Sequence, residues 1–372
     1  MYDCAMIPIR SVLDRLTTAG ALSENLPDRS IRCTACGHRC LIRKGRRGIC
    51  QVRYNQGGEL RVPWGYVAAL NADPVEKKPF YHLLPGATAL TFGMLGCDFH
   101  CGYCQNWLTS QVLRDPAADE STSFVRRISA EQIVETARRV GAQVLASSYN
   151  EPLITSEWAM GVFKSAMQAG MKCVYVSNGN ATREVLEYVR PYLTGMKIDL
   201  KSMQDKNYRQ LGGVLKNVLD TIVRVKEMGL WLEVVTLVVP GFNDSNAELW
   251  EAARFLAGVS ADIPWHVTAF HSDYKMSETD NTPVQTLLRA AEIGREAGLH
   301  YVYAGNLPGR VEEYETTFCP KCNMGLVKRT GYVIGKVNVT PQGACPKCGT
   351  AIAGVWMPSQ ATKNPNAHTP NS

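Results

Sequence analysis

Between Ala87 and Ala304 the chain alternates short, almost wholly apolar runs with longer amphipathic ones. The apolar runs, 88–92, 144–149, 173–177, 196–200, 231–239, 265–270 and 301–303, have the length of strands and lack polar alternation. That pattern predicts strands covered on both faces, as in a parallel sheet. Between them lie AEQIVETARRVG, SEWAMGVFKSAMQAG, ATREVLEYVRPYL, LKNVLDTIVRVKEMG and PVQTLLRAAEIGREAG. Their apolar residues recur at helical spacing, and several begin at Ser, Thr or Asn and end at Gly. Strand and helix in alternation make βα units, so the class is α/β. Six such units with one extra strand are too few for a closed eightfold barrel and suit an open, partial (β/α)6 TIM-like barrel. Parallel strands place the working site at their C-terminal ends.

The pattern divides the chain into residues 1–86, an N-terminal Cys-rich region; 87–304, the barrel; 305–357, a C-terminal module; and 358–372, a polar Pro- and Asn-rich tail expected to be disordered. At 372 residues and 45% hydrophobic content the chain is long enough for this arrangement. No apolar stretch approaches the roughly 18 residues of a membrane span, and the first residues carry no signal-type apolar run. The expectation is a cytoplasmic protein with no membrane partner.

The thirteen cysteines change the picture most. All but Cys4 and Cys173 fall in three tight groups: Cys33, Cys36, Cys40 and Cys50; Cys97, Cys101 and Cys104; and Cys319, Cys322, Cys345 and Cys348. Such spacing in a chain of this size points to metal binding rather than disulfides. The middle group, GCDFHCGYCQN, follows the first predicted strand and supplies three thiolates, one fewer than an ordinary four-cysteine cluster uses. A [4Fe-4S] cluster held there has one iron open to an amine and a carboxylate, such as the methionine end of S-adenosylmethionine. One electron from the reduced cluster then cleaves the S–C5′ bond and yields a 5′-deoxyadenosyl radical that takes hydrogen from a substrate. The alternative is zinc with a distant fourth ligand such as His100; the preceding strand, the aromatic Tyr103 and the following βα series favour the cluster.

The CxxxCxxC loop resembles that of the radical SAM superfamily, and residues 87–304 look like the activating enzymes of glycyl radical enzymes. KIDLKSMQDKNYRQLGG and VVPGFND are similar to the activase DLK helix and VPG segment. From about Cys33 to Trp356 the chain also resembles the radical SAM component of the AmmeMemoRadiSam system, through CTACGHRCLIRKGRRGICQVR, DPVEKKPFYHLLPG, CDFHCGYCQNW, YNEP, FHSDYKM and a terminal pair of CPKC motifs in that order.

The resemblance implies roles for residues beyond the cluster ligands. Tyr103 corresponds to the aromatic whose backbone meets the adenine. Asn150 and Glu151 stand where the superfamily has GGEP, whose acidic residue holds the methionine amine, although Ser148, Tyr149 and Asn150 replace the glycines. Ser177, Asn178 and Gly179 match the activase TNG near the ribose, with Val176 where an Asp precedes it there. Lys201, with Asp199 beside it, corresponds to a partner for the SAM carboxylate, and His271 to a histidine reaching the ribose hydroxyls. The resemblance further implies an anaerobic oxidoreductase reduced by a flavodoxin or ferredoxin, acting on a protein, peptide or partner protein.

The last cysteine group, paired CPxC knuckles around GLVKRTGYVIGKVNV, describes a zinc ribbon, with an iron site as the alternative. The first group, C-x2-C-x3-C-x9-C, permits zinc or a second iron-sulfur cluster, and zinc is the expectation taken. Arg32, Arg39, Arg43, Lys44, Arg46, Arg47 and Arg53 crowd the same stretch although the net charge is only +6. They fit either an RNA patch or the rim of a metal knuckle; the lack of interleaved aromatics favours the rim. A non-catalytic metal-bound adaptor is the remaining class. Glu151, Lys201 and His271 together with all three loop cysteines argue against it.

Overall fold

A computed structural model describes residues 9–118 and 125–356. Cys4 and the tail beginning at residue 358 lie outside them. The centre is one eight-stranded sheet in sequential order: β1 (Ala69–Pro74), β2 (Thr88–Gly93), β3 (Val144–Ser147), β4 (Lys172–Ser177), β5 (Gly195–Asp199), β6 (Trp231–Val238), β7 (Trp265–Ala269) and β8 (Val302–Gly305). From β2 to β8 every neighbour is parallel, whereas β1 runs antiparallel along β2. The ends of the sheet, β1 and β8, do not pair, so the barrel is partial. Each predicted strand is present to within two residues, and β1 is an addition drawn from before residue 87.

The helices are α1 (Ala130–Arg139), α2 (Ser156–Gln168), α3 (Arg183–Val189), α4 (Asp205–Leu211), α5 (Leu215–Glu227), α6 (Asn246–Val259) and α7 (Val284–Glu296). Local chemistry sets their ends. Ser129 and Gln132 form a reciprocal capping box on α1, and the Thr182 and Ser245 side chains cap α3 and α6. Gly212, in the left-handed region, stops α4. Strand residues such as Leu145, Val174, Ile198, Val234 and Val267 are fully buried, which is why these runs are apolar throughout.

Two small modules flank the barrel. The N-terminal one consists of two three-stranded antiparallel sheets, Thr17–Ala19 with Glu59–Pro63 and Tyr54–Gln56, and Ser23–Asn25 with Ile31–Cys33 and Leu41–Ile42. It is fastened to α2 by a buried ion pair: the Arg53 guanidinium donates to both oxygens of Glu157 at 2.7 and 2.8 Å and to the Ile154 carbonyl at 3.1 Å. Glu157 also accepts from the amides of Ala21 and Leu22. Thr182 bonds the Thr34 carbonyl, and Gly37 donates to the Asn180 carbonyl at 2.7 Å.

The C-terminal module is the antiparallel sheet Thr317–Phe318, Gly325–Thr330 and Val333–Val337, with a cysteine knuckle on either side. It packs on residues 75–87: Arg329 donates to the Tyr81 carbonyl at 2.6 Å and lies 4.2 Å from the centre of its ring, the Leu84 amide donates to the Val355 carbonyl at 2.8 Å and the Val355 amide to the His82 carbonyl at 2.7 Å. No helix among the described residues is long and apolar enough to cross a membrane.

Removing Arg53 strands a carboxylate that is 5% exposed as a residue and has lost its charge partner. Arg53→Ala is expected to lower stability by about 3–5 kcal/mol in urea unfolding of the cluster-free chain.

Candidate active site

The parallel strands from β2 to β8 surround a cavity of about 430 Å³. Cys97, Cys101 and Cys104 line it, together with Tyr103, Asn150, Glu151, Ser177, Asn178, Asp199 and Lys201. The cysteine loop begins directly after β2 at a glycine that no other residue can replace without a shift. Gly96 has φ of +94°, and a Cβ there would lie 2.9 Å from Val52 and 3.1 Å from the Cys50 carbonyl. The loop is tethered to the far side of the rim, where His100 N–H donates to the Leu211 carbonyl at the end of α4. The Phe99 amide points at the Cys97 sulfur (3.4 Å), and Ser110 Oγ lies 3.2 Å from Cys104 Sγ. Burial pushes the Cys101 thiol up to about 12, so ionisation there requires the metal that thiolates bind.

Glu151, at the end of β3, organises the next strand end. Its Oε1 accepts from Ser177 Oγ (2.7 Å) and the Leu153 amide (3.1 Å), and its Oε2 accepts from the Asn178 amide (2.8 Å). A carboxylate offers about four acceptor positions, so one on Oε2 remains for a ligand donor. Burial, then the charge of Asp98, raises Glu151 from 4.5 to about 8. Asn150 does different work. Its Oδ1 accepts from the Met94 amide at 2.9 Å and its Nδ2 donates to the Glu151 carbonyl, tying the loop after β3 to that after β2.

Asp98 was not picked out by sequence reasoning, yet it is fully buried and accepts from Asn178 Nδ2 and Asn180 Nδ2, both at 2.8 Å. Adjacency to Cys97 was the available signal. Lys197 was missed as well. It bonds Asp199 Oδ1 while Lys201 Nζ lies 3.2 Å from Oδ2, so one carboxylate bridges two ammonium groups. Burial opposes the charge on Asp199, but the two lysines overcome it and hold its pKa below the ordinary value. Burial likewise works against Lys201, and Asp199 together with Cys101, Tyr103 and Tyr208 outweighs it, holding the Lys201 pKa above the ordinary value. For Lys197 burial wins and the pKa falls. The Lys201 carbonyl and amide are fixed by Asn243 and by the Tyr208 hydroxyl, at 2.8 and 3.0 Å.

Two expected residues are not on the cavity wall. His271 is exposed on the rim, where its Nε2 lies 2.8 Å from Gln105 Nε2, and Gln105 in turn faces the cavity. Gly179 lies behind the wall with φ of +76°; a Cβ there would meet Ile198 at 2.6 Å, so its part is to turn the chain after Asn178. The floor is polar: His266 and Glu233 pair at 2.7 Å, and the carboxylate also accepts from the Tyr81 and His82 amides.

The C-terminal cysteines meet at the distances of a single metal ion. Cys319 and Cys348 sulfurs are 3.5 Å apart and those of Cys322 and Cys345 3.6 Å, and Thr350 lowers Cys348 to about 6. Of the basic stretch, Arg53, Arg39 and Arg47 are engaged with Glu157, Glu184 and Asp14, while Arg43, Lys44 and Arg46 are exposed.

A partial barrel with three cysteines on the first parallel-strand loop and a polar pocket beside them defines a class of cluster-bearing enzymes. Residues 92–256 match the Radical SAM superfamily family model. The chain is 34% identical over 332 residues to "Uncharacterized protein MJ0808" of Methanocaldococcus jannaschii, covering 88% of this chain and 97% of that one. It is 24% identical over 173 residues to the isethionate sulfite-lyase activating enzyme of Oleidesulfovibrio alaskensis, covering 45% and 55% of the two chains. Among solved structures, a domain of a pyruvate-formate lyase-activating enzyme from Bacteroides vulgatus matches with 19% identity and a TM-score of 0.38, over 43% of this chain and 98% of that one. The chain belongs to the radical SAM superfamily, whose domain implies a [4Fe-4S] cluster and S-adenosylmethionine. The donor set fits them: three thiols on one loop, with an acceptor position and a charged lysine on the same cavity.

An acid whose folded pKa exceeds its unfolded one favours the folded state while protonated. Glu151 therefore lends stability that is full below about pH 4.5, declines as pH rises and is lost above about pH 8. Urea midpoints of the cluster-free chain should fall over that window by an amount worth a few kcal/mol, and Glu151→Gln should flatten the decline.

Proposed function

We propose that this protein uses Cys97, Cys101 and Cys104 to hold a SAM-binding [4Fe-4S] cluster and directs the resulting radical at a protein or peptide. When bound and reduced, the cluster supplies one electron to cleave S-adenosylmethionine to methionine and a 5′-deoxyadenosyl radical. The observation that carries this reading is the convergence of the three thiols, the free acceptor position of Glu151 and the Lys201 ammonium on one cavity.

The chain's own residues divide the work. Glu151 receives the methionine ammonium, whose positive charge favours the ionised carboxylate that burial disfavours. Lys201, held charged by Asp199, receives the carboxylate. Ser177 and Asn178 present the end of β4 to the ribose, and Asp98 fixes the Asn178 side chain. Tyr103, packed edge-on against Phe242, offers its backbone to the adenine, and His271 with Gln105 closes the ribose side from the rim. The buried walls keep water from the radical. The C-terminal four cysteines hold structural zinc: bonds of about 2.3 Å in a tetrahedron put sulfurs about 3.8 Å apart, close to the separations seen. A flavodoxin or ferredoxin is the reductant, and the compartment is the cytoplasm.

A protein or peptide substrate is supported by the similarity to an activating enzyme, whose name describes action on another protein. Alanine at Cys97, Cys101 and Cys104 together should abolish 5′-deoxyadenosine formation under dithionite; formation at the parent rate would refute the cluster assignment.

The substrate class is read by deuterium transfer. Deuterated proteins, peptides and RNA are offered to the reduced enzyme, and the mass of the 5′-deoxyadenosine is measured. Label should arrive from protein or peptide. Label from RNA alone, with binding weakened by salt and by neutralising Arg43, Lys44 and Arg46, would replace this reading with RNA modification.

A further inference from the structure

We infer that Cys33, Cys36, Cys40 and Cys50 bind a second [4Fe-4S] cluster, packed directly against the loop that carries Cys97. The four thiols converge from two turns of the N-terminal module. Cys33, Cys36 and Cys50 are 5–6% exposed and Cys40 is half-buried, and none is in a disulfide. The backbone brings them together: the Cys33 amide donates to the Cys40 carbonyl and the Arg39 amide to the Cys36 carbonyl, both at 3.0 Å, and a Cβ on Gly48, two residues before Cys50, would lie 3.6 Å from Cys40 Sγ.

Spacing separates the two metals. Among the described residues, the four C-terminal cysteines are the group whose ligand atoms all lie within 4.8 Å of one another, the reach of one tetrahedral ion. The N-terminal four are outside that limit, as are Cys97, Cys101 and Cys104. One chain thus builds a tight thiol set and two wide ones, and one wide set is the loop that holds a cluster in this superfamily. A cubane carries its thiolates on separate irons and needs the wider frame; four cysteines complete it with no open iron. Zinc, the expectation taken for this set from the sequence, is thereby confined to the C-terminal set.

The surroundings suit a cluster. Arg53 Nε donates to Cys33 Sγ at 3.2 Å and the Ile49 amide to Cys40 Sγ at 3.4 Å, the kind of N–H contact to sulfur that tunes such centres. His38, between Cys36 and Cys40, has a buried Nε2 with no hydrogen-bond partner in the protein. The second site also abuts the first. A Cβ on Gly96 would lie 3.1 Å from the Cys50 carbonyl and 2.9 Å from Val52, so the turn that carries Cys50 packs on the start of the loop that carries Cys97.

The test leaves the N-terminal module untouched. The full chain and its C97A/C101A/C104A variant are reconstituted anaerobically, and iron and zinc are counted beside Mössbauer and EPR spectra. About eight irons and one zinc are expected in the parent and about four irons in the variant, whose reduced cluster signal does not respond to SAM. In the parent, SAM should perturb one half of the iron, and the doubly reduced protein should show spin coupling between neighbouring clusters. A parent with about four irons and two zincs, or a variant with zinc in place of iron, would overturn the inference. Loss of the SAM response alone, with about eight irons retained, would count against the SAM pocket and leave the second cluster standing.

Discussion

The rim of this barrel depends on two buried carboxylates that share one asparagine. Glu151 takes the Asn178 backbone amide and Asp98 takes its side chain, so the ends of β2, β3 and β4 are joined through residues that each lie within 7% exposure. Two anions in one dry place cost free energy, and the raised pKa of Glu151 records it. The cost is met by aimed donors, Ser177, Leu153, Asn178 and Asn180, rather than by a cation. That distinction matters at an enzyme's working end. A carboxyl group held by amides and a hydroxyl, with no resident lysine beside it, leaves its charge to be called up by an incoming ammonium.

The opposite solution is used one strand further on and again behind the N-terminal module. Asp199 is sandwiched between Lys197 and Lys201, and the Lys201 ammonium acts on Cys101 across the cavity wall. Arg53 and Glu157 neutralise each other completely, with both guanidinium nitrogens engaged, and the pair works as a fastener. Its third donor, Nε, reaches Cys33, so the fastening of the module and the positioning of its first thiol are one interaction.

The barrel was legible because parallel strands buried on both faces write themselves as unbroken apolar runs, and the strand positions follow from 88–92 onward. The antiparallel β1 was not, since its residues ALNADP are half polar and its pairing with β2 is a choice of tertiary structure. The site residues that motifs carry, Cys97, Glu151, Asn178 and Lys201, are on the cavity. Those that act through space are silent in one dimension. Asp98 finds Asn180 across 82 positions and Arg53 finds Glu157 across 104, and no local pattern announces either pairing. His271 and Gly179 show the converse: a matching position in the chain supports the wall from the rim or from behind without lining it.

The two modules close the barrel at different places, and this shapes what can reach the radical. The C-terminal sheet and residues 75–87 pack together at the floor, where Arg329 opposes Glu76 at 3.9 Å and His82 bridges Tyr303 and the Ala353 carbonyl. The floor is thereby closed by buried polar groups, most of them paired, with Arg329 Nε and Glu76 Oε2 held by charge rather than by a hydrogen bond. The N-terminal module covers the outside of β3 and β4 through α2 and α3. Lys77, Tyr149 and Tyr332 line one stretch of the cavity wall with Lys78 buried beside them, and the exposed Gln105 and Asn106 line another. Tyr149, held at φ of +69°, points its hydroxyl to Lys78 Nζ at 3.2 Å and Asn71 at 3.1 Å, and Lys78 in turn pairs with Asp73. Asn71 and Asp73 of β1 thus hold Tyr149 and Lys78, so the strand that the motifs do not describe sets the aromatic and cationic part of the wall. The motifs mark the residues around the cysteine loop, whereas this part of the wall is built by long-range pairing that no motif records.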